Sequence, residues 1–239
     1  MIHPLIEAVG ASMRFGGVTA VNAVNFSIAQ AELRCLIGPN GAGKSTFFKM
    51  LTGQLKPSAG RIIFRGEDIT GALPHEIARR GVGIKTQVPN LFNGMTALEN
   101  VTLGAARAHP WRQARDAAAA TLQRLGLGAI GPRTVEQLAH GQRQWVEIAT
   151  VLAQEPELIL LDEPAAGMSH EEVRFTADLI REITRTHAMI VVEHDMQFIR
   201  MIAGRVTVFY QGAILMEDDV HAVLADQRVR DVYLGKQEA

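Results

Sequence analysis

The stretch "GPNGAGKS", Gly38 to Ser45, limits what this chain can fold into more than any other. It follows the apolar run "RCLI" and precedes "TFFKMLTG", whose spacing reads as a helix closing at Gly53. It matches G-x-x-x-x-G-K-S/T in the strand–loop–helix setting that a phosphate-binding loop requires. Glycines let backbone N–H groups turn inward around phosphate oxygens. The helix start adds unpaired N–H groups and the positive end of a dipole. Lys44 brings a point charge for the β- and γ-phosphates, and Ser45 a hydroxyl for Mg²⁺. Gly38, Pro39, Asn40, Gly41, Ala42, Gly43, Lys44, Ser45 and Thr46 are therefore the candidate nucleotide-binding residues.

Around this loop the chain reads as α/β. Residues 5–34 read as strands, "GRIIFRGEDIT" as a further strand and turn, and "PHEIARRG" as a short helix. From about Thr96 to Ala153 the character changes. "TALENVTLGAARA", "RQARDAAAATLQRLGL" and "GQRQWVEIATVLAQ" have helical spacing and few β-branched runs. Three buried-strand patterns follow, "ELILLDEP", "AMIVVEHD" and "RVTVFYQG", with the helix "HEEVRFTADLIREITRT" between the first two. Alternating strands and helices imply a largely parallel sheet, so the expected fold is a P-loop NTPase (RecA-like) core. An N-terminal antiparallel β subdomain and an inserted α-helical subdomain complete it. The expected division is one domain over 1–239, with the core in 1–87 and 154–239 and the helical insertion in 88–153.

"LILLDE" is an apolar strand ending in two carboxylates. Beside a phosphate loop, Asp162 is the candidate Mg²⁺ carboxylate, direct or through water. Glu163 would point past the metal and deprotonate an attacking water. "LAHGQ", Leu138 to Gln142, opens a helix. Its N–H groups near Gly141 and Gln142 are expected to face outward at a positive dipole end, with Gly141 keeping the approach open. His140 reads equally as an added donor or as a solvated surface side chain.

Composition narrows the function classes. Lys and Arg total 24 against 25 Asp and Glu, with no long basic run, so nothing supports nucleic-acid binding. The one cysteine, Cys35, lies in an apolar run and fits a strand interior in a reducing cytosol. The N-terminus lacks the layout of a signal peptide, and the longest apolar runs are too short to cross a bilayer. Any membrane crossing would fall to another chain.

"GPNGAGKST", Gln87 after a strand, "LAHGQ", "LLDEP" and "VVEHD" stand in the order seen in ABC-transporter ATP-binding subunits, which the chain resembles over essentially its whole length. "FGGVTAVNAVNFSI", "VEIAT", "EPAAGM", "VEHDM" and "VYLG" resemble the hydrophobic amino-acid and amide uptake group, the ATPases of branched-chain amino-acid and urea importers. The resemblance implies that Phe15 in "RFGG" stacks on adenine and that Gln87 touches Mg²⁺ and water at a hinge. It implies that His194 contacts the γ-phosphate. "AAGMSHEE" stands where this family has its D-loop, but Ala166, Gly167, Met168 and Ser169 depart from the usual residues. It further implies ATP and Mg²⁺ as ligands, and a second ATP-binding subunit whose site receives Leu138, Ala139, His140, Gly141 and Gln142 in trans. Transmembrane permease subunits, indirectly a solute-binding protein, and a peripheral place on the cytoplasmic face of the inner membrane follow from the same resemblance.

Rival readings are weaker. A GTPase would need a guanine motif, N-K-x-D, which is absent. A nucleotide-controlled assembly switch outside transport would not need Lys44, Asp162 and Glu163 together.

Overall fold

The computed structural model describes residues 4–87 and 90–234, so Val88 and Pro89 of "KTQVPNLF" and Gly235 of "VYLG" lie outside the described residues. Two sheets carry the fold. The first is antiparallel: β1 (Ile6–Phe15), β2 (Val18–Ile28), β4 (Ala59–Phe64) and β5 (Glu67–Asp68), in the order β2-β1-β4-β5. The second holds β3 (Leu33–Ile37), β6 (Val82–Lys85), β7 (Leu158–Asp162), β8 (Ala188–Val192), β9 (Arg205–Tyr210) and β10 (Ala213–Asp219). Its order is β10-β9-β3-β8-β7-β6, parallel from β9 to β6 with β10 antiparallel at one edge.

The parallel strands read as continuous apolar runs because both faces of their sheet are covered. Side chains alternate between two cores. Leu36, Leu158, Leu160 and Ile190 pack toward the antiparallel sheet and α1 (Lys44–Leu51). Cys35, Ile37, Ile159, Leu161 and Val191 pack toward the other helices. Cys35 is fully buried, and that burial pushes its thiol far above the usual range.

The helices follow their sequence signals. α1 ends before Thr52 and Gly53, and α2 (Pro74–Arg79) has Pro at its start. Between β6 and β7 lie α3 (Ala97–Ala105), α4 (Trp111–Arg124) and α5 (His140–Leu152). Thr96 caps α3 by accepting the N–H of Glu99, while Glu99 accepts the N–H of Thr96. α6 (His170–Thr184) begins with the same reciprocal cap, Ser169 with Glu172. It packs on α5 through Trp145, whose ring lies 4.4 Å from that of Phe175 and whose Nε1 donates to Thr176 Oγ1 at 2.8 Å. Beyond the expected elements the chain adds α7 (Met196–Ile202), β10, α8 (Val220–Ala225) and α9 (Gln227–Leu234). Among the described residues no helix is long and apolar enough to cross a membrane.

Candidate nucleotide site

Strand order brings the motifs together. The C-terminal ends of β3, β8, β7 and β6 stand side by side, and each continues into one motif: the phosphate loop, Glu193 and His194, Glu163, and Gln87. Ligands bind at such carboxyl ends in open α/β sheets.

The loop after β3 is tightly built. Gly38 has φ 147°, and a Cβ there would meet Phe209 O at 2.2 Å; Gly43 has φ 102°, and its Cβ would meet Ala20 O at 2.4 Å. No other residue fits either place without moving backbone. Lys44 Nζ donates to the carbonyls of Gly38 at 2.6 Å and Pro39 at 3.0 Å, which spans the loop with a cation. Burial holds that ammonium below its usual range, and the carboxylates of Glu163 and Asp162 oppose the shift. Ser45 is exposed at the start of α1. Phe15, at the end of β1 and 49% exposed, lines the cleft that holds the loop, together with Glu163 and Val192.

Glu163 is the meeting point. Gln87 Nε2 donates to its Oε2 at 2.6 Å, and His194 Nδ1 lies 3.3 Å from its Oε1. Its backbone is left-handed, φ 47°, and its N–H donates to Val192 O at 2.9 Å. A glutamate held in that sparsely populated region marks a position fixed by its surroundings. Asp162, one residue earlier, is partly buried; that burial, and then the charge of Glu163, keep its carboxyl above the usual range.

Ser45 offers a hydroxyl, Asp162 a carboxylate and Gln87 an amide oxygen, the hard ligand types that could hold Mg²⁺. A divalent cation would remove the penalty that raises Asp162. Among the described residues no cluster of three or more His, Cys, Asp or Glu could hold a metal by itself.

Sequence reasoning missed four supporting residues. Glu193, buried, accepts the N–H groups of His194 at 2.9 Å, Asp195 at 3.2 Å and Ala165 at 3.4 Å, which ties the segment after β8 to the one after β7. Its signal was a carboxylate directly after five buried residues. Lys85, fully buried at the end of β6, lies 3.8 Å from Glu147 of α5 and donates to Thr86 O at 3.3 Å. Glu147 accepts the N–H of Asn90 at 3.0 Å. Burial pushes Lys85 down and Glu147 up, each opposed by the other's charge. The fourth is Glu172.

The segment "LAHGQ" is not among the residues that line the cleft around the loop. Leu138 is buried, Ala139 and His140 are exposed, and Gln142 Oε1 accepts the N–H of Ala139 at 3.2 Å. His140 Nε2 lies 3.1 Å from Ala166 O, so its exposed ring also reaches the segment after β7. The expected open approach at Gly141 is not found. Gly141 is buried, and a Cβ there would meet Glu172 Oε1 at 2.4 Å, because α6 begins directly against α5.

Comparison with known proteins agrees with this geometry. The family model described as ABC transporter matches residues 21–166. The high-affinity branched-chain amino acid transport ATP-binding protein LivG of Escherichia coli (strain K12) is 36% identical, covering 99% of this chain and 100% of LivG. The structure of an ATP-binding cassette of an ABC transporter in its ADP conformation superposes with TM-score 0.88 at 27% identity, over 98% of this chain and 100% of that one. A dimeric post-hydrolysis ATP-binding cassette bound to ADP and Pi gives TM-score 0.77 at 26% identity, over 90% of this chain and 98% of that one.

Proposed function

The chain belongs to the ABC transporter family, and from that membership we propose that it is the ATP-hydrolysing subunit of a membrane importer for branched-chain amino acids, urea or related amides. The observation that carries hydrolysis is Glu163, held between Gln87 and His194 in the cleft that Lys44 also lines. Full-length similarity to LivG supports the substrate class.

In this reading Phe15 stacks on the base, and the loop Gly38–Thr46 wraps the phosphates with backbone N–H groups. Lys44 leaves its loop carbonyls for phosphate oxygens. Ser45, Asp162 and Gln87 would hold Mg²⁺, which when bound would neutralise phosphate charge. Glu163 takes a proton from water as the water oxygen bonds to the γ-phosphorus. The bond to the ADP oxygen breaks, leaving ADP and phosphate. Gln87 fixes the carboxylate from one side, and His194 from the other until it turns to the γ-phosphate.

The dimeric neighbour supports pairing of two subunits; in this reading the pair is head-to-tail, and Leu138–Gln142 of one subunit would meet the ATP of the other. Residues 88–153 would move as a lobe on the core 1–87 and 154–239. That motion would drive permease subunits at the cytoplasmic face of the membrane, with a solute-binding protein acting on the far side. Reconstitution with the permease and binding protein tests the reading. Phosphate release stimulated by a branched-chain amino acid or by urea supports it, and release indifferent to every solute and to the permease overturns the transport role.

A further inference from the structure

Gln87, which holds Glu163 in the nucleotide cleft, is itself held by α5. Lys85, two residues before it at the end of β6, and Asn90, three residues after it, both meet the Glu147 carboxylate. Glu147 Oε1 accepts the N–H of Asn90 at 3.0 Å, and its Oε2 lies 3.8 Å from Lys85 Nζ. Among the described residues Oε2 accepts no hydrogen bond, so the hold on Lys85 is one of charge. Both side chains are buried, where little water screens that attraction. Arg143 stands one turn earlier on the same face of α5 and donates to Asn93 Oδ1. The helix thus holds the chain after Gln87 at two points, and Glu147 also reaches the chain before it.

The two ends of this grip differ in freedom. Lys85 pairs with Leu161 of β7 in the sheet, so its backbone stays with the strand that ends in Asp162. Asn90 lies outside any strand or helix and follows the carboxylate that accepts its N–H. A shift of α5 against the sheet therefore moves Asn90 while Lys85 stays, and Gln87 between them is repositioned. Gln87 Nε2 donates to Glu163 Oε2 at 2.6 Å, so the carboxylate of Glu163 feels that change directly. We propose that Glu147 is a positioning residue for hydrolysis, which sets the place of Gln87, and through it of Glu163, according to where α5 stands. This inference rests on the reading of Glu163 as general base. α5 is the helix that "LAHGQ" opens, and Glu147 lies seven residues beyond His140, about 10 Å along its axis. Whatever moves the start of α5 is passed by one helix to the base of the same subunit.

The test follows ATP hydrolysis by the purified subunit in a double-mutant cycle. Lys85→Met with Glu147→Leu removes both buried charges together, which spares the fold a stranded one. Its kcat should fall roughly tenfold to a hundredfold, the range that a misplaced catalytic contact costs. KM for ATP should hold, since no group placed on the nucleotide is replaced. In a Gln87→Ala subunit the same two changes should lower kcat no further, because the residue through which they act is gone. Should the Leu variant not fold, Lys85→Met with Glu147→Gln carries the same cycle, with a smaller loss because Asn90 keeps an acceptor. Wild-type kcat in the folded variants, a Gln87→Ala subunit that hydrolyses at the wild-type rate, or an equal loss in the Gln87→Ala background overturns the positioning role alone. Undiminished hydrolysis by Glu163→Gln overturns the base reading and the positioning role with it.

Discussion

Gln87 Nε2 donates to Glu163 Oε2 across 2.6 Å, which fixes one oxygen of the carboxylate and leaves the other toward His194. A side chain already held on both sides loses little freedom when water arrives, which is what a general base needs.

Glu163→Gln should therefore bind ATP and lose hydrolysis by about 10²–10⁴-fold, the usual share of a positioned base. Phosphate release gives the rate, and gel filtration with ATP should show the dimer accumulating. Turnover near wild type would remove Glu163 from the role.

Phe15→Ala removes the exposed wall of the cleft without touching the core. Loss of stacking, about 0.5–1.5 kcal/mol, should weaken ATP binding roughly two- to tenfold. Thermal unfolding of the nucleotide-free subunit should be unchanged. An ATP titration identical to wild type rules out stacking.

Lys85 and Glu147 form a buried pair that links the end of β6 to α5. Lys85→Met or Glu147→Leu alone strands one charge and should cost about 3–5 kcal/mol in urea denaturation. The double variant removes both charges and should regain most of that loss. Two additive losses would show that the charges do not act as a pair.

Asp162 carries a carboxyl held above its ordinary value of 3.8, first by burial and then by Glu163. A carboxyl raised by folding binds its proton more tightly in the folded state, so its ionisation removes stability as pH rises through that raised value. Asp162→Asn should therefore melt higher than wild type near neutral pH in the absence of nucleotide, with the gain shrinking as pH falls toward 3.8. The same variant should lose Mg²⁺-dependent hydrolysis. A lower melting temperature at neutral pH would contradict the sign.

The phosphate loop and the Asp162–Glu163 pair were legible because their chemistry is written at short, fixed spacing beside an apolar strand. The buried strands were legible as apolar runs, and α6 as the helical run between two of them. The pairs Lys85–Glu147 and Glu172–Gly141 were not, because only packing brings their partners near. His140 stayed open in sequence because its partner is a backbone carbonyl, which no residue type announces. "MQFIRMI" of α7 is apolar on nearly every side, so its period is ambiguous. β10 is half-exposed along most of its length and does not alternate cleanly.

The sheet order has a consequence for biosynthesis. β3 emerges early from the ribosome, yet both its neighbours, β8 and β9, belong to the last quarter of the chain. The phosphate loop presses Gly38 against Phe209, a residue of β9. A nascent chain thus carries the complete "GPNGAGKS" motif long before it has the strands that shape it. Competence for ATP arrives late in translation, and such non-local pairing folds slowly. A chain stalled before residue 205 would expose an unpaired β3 edge, a substrate for chaperones in place of a working half-enzyme.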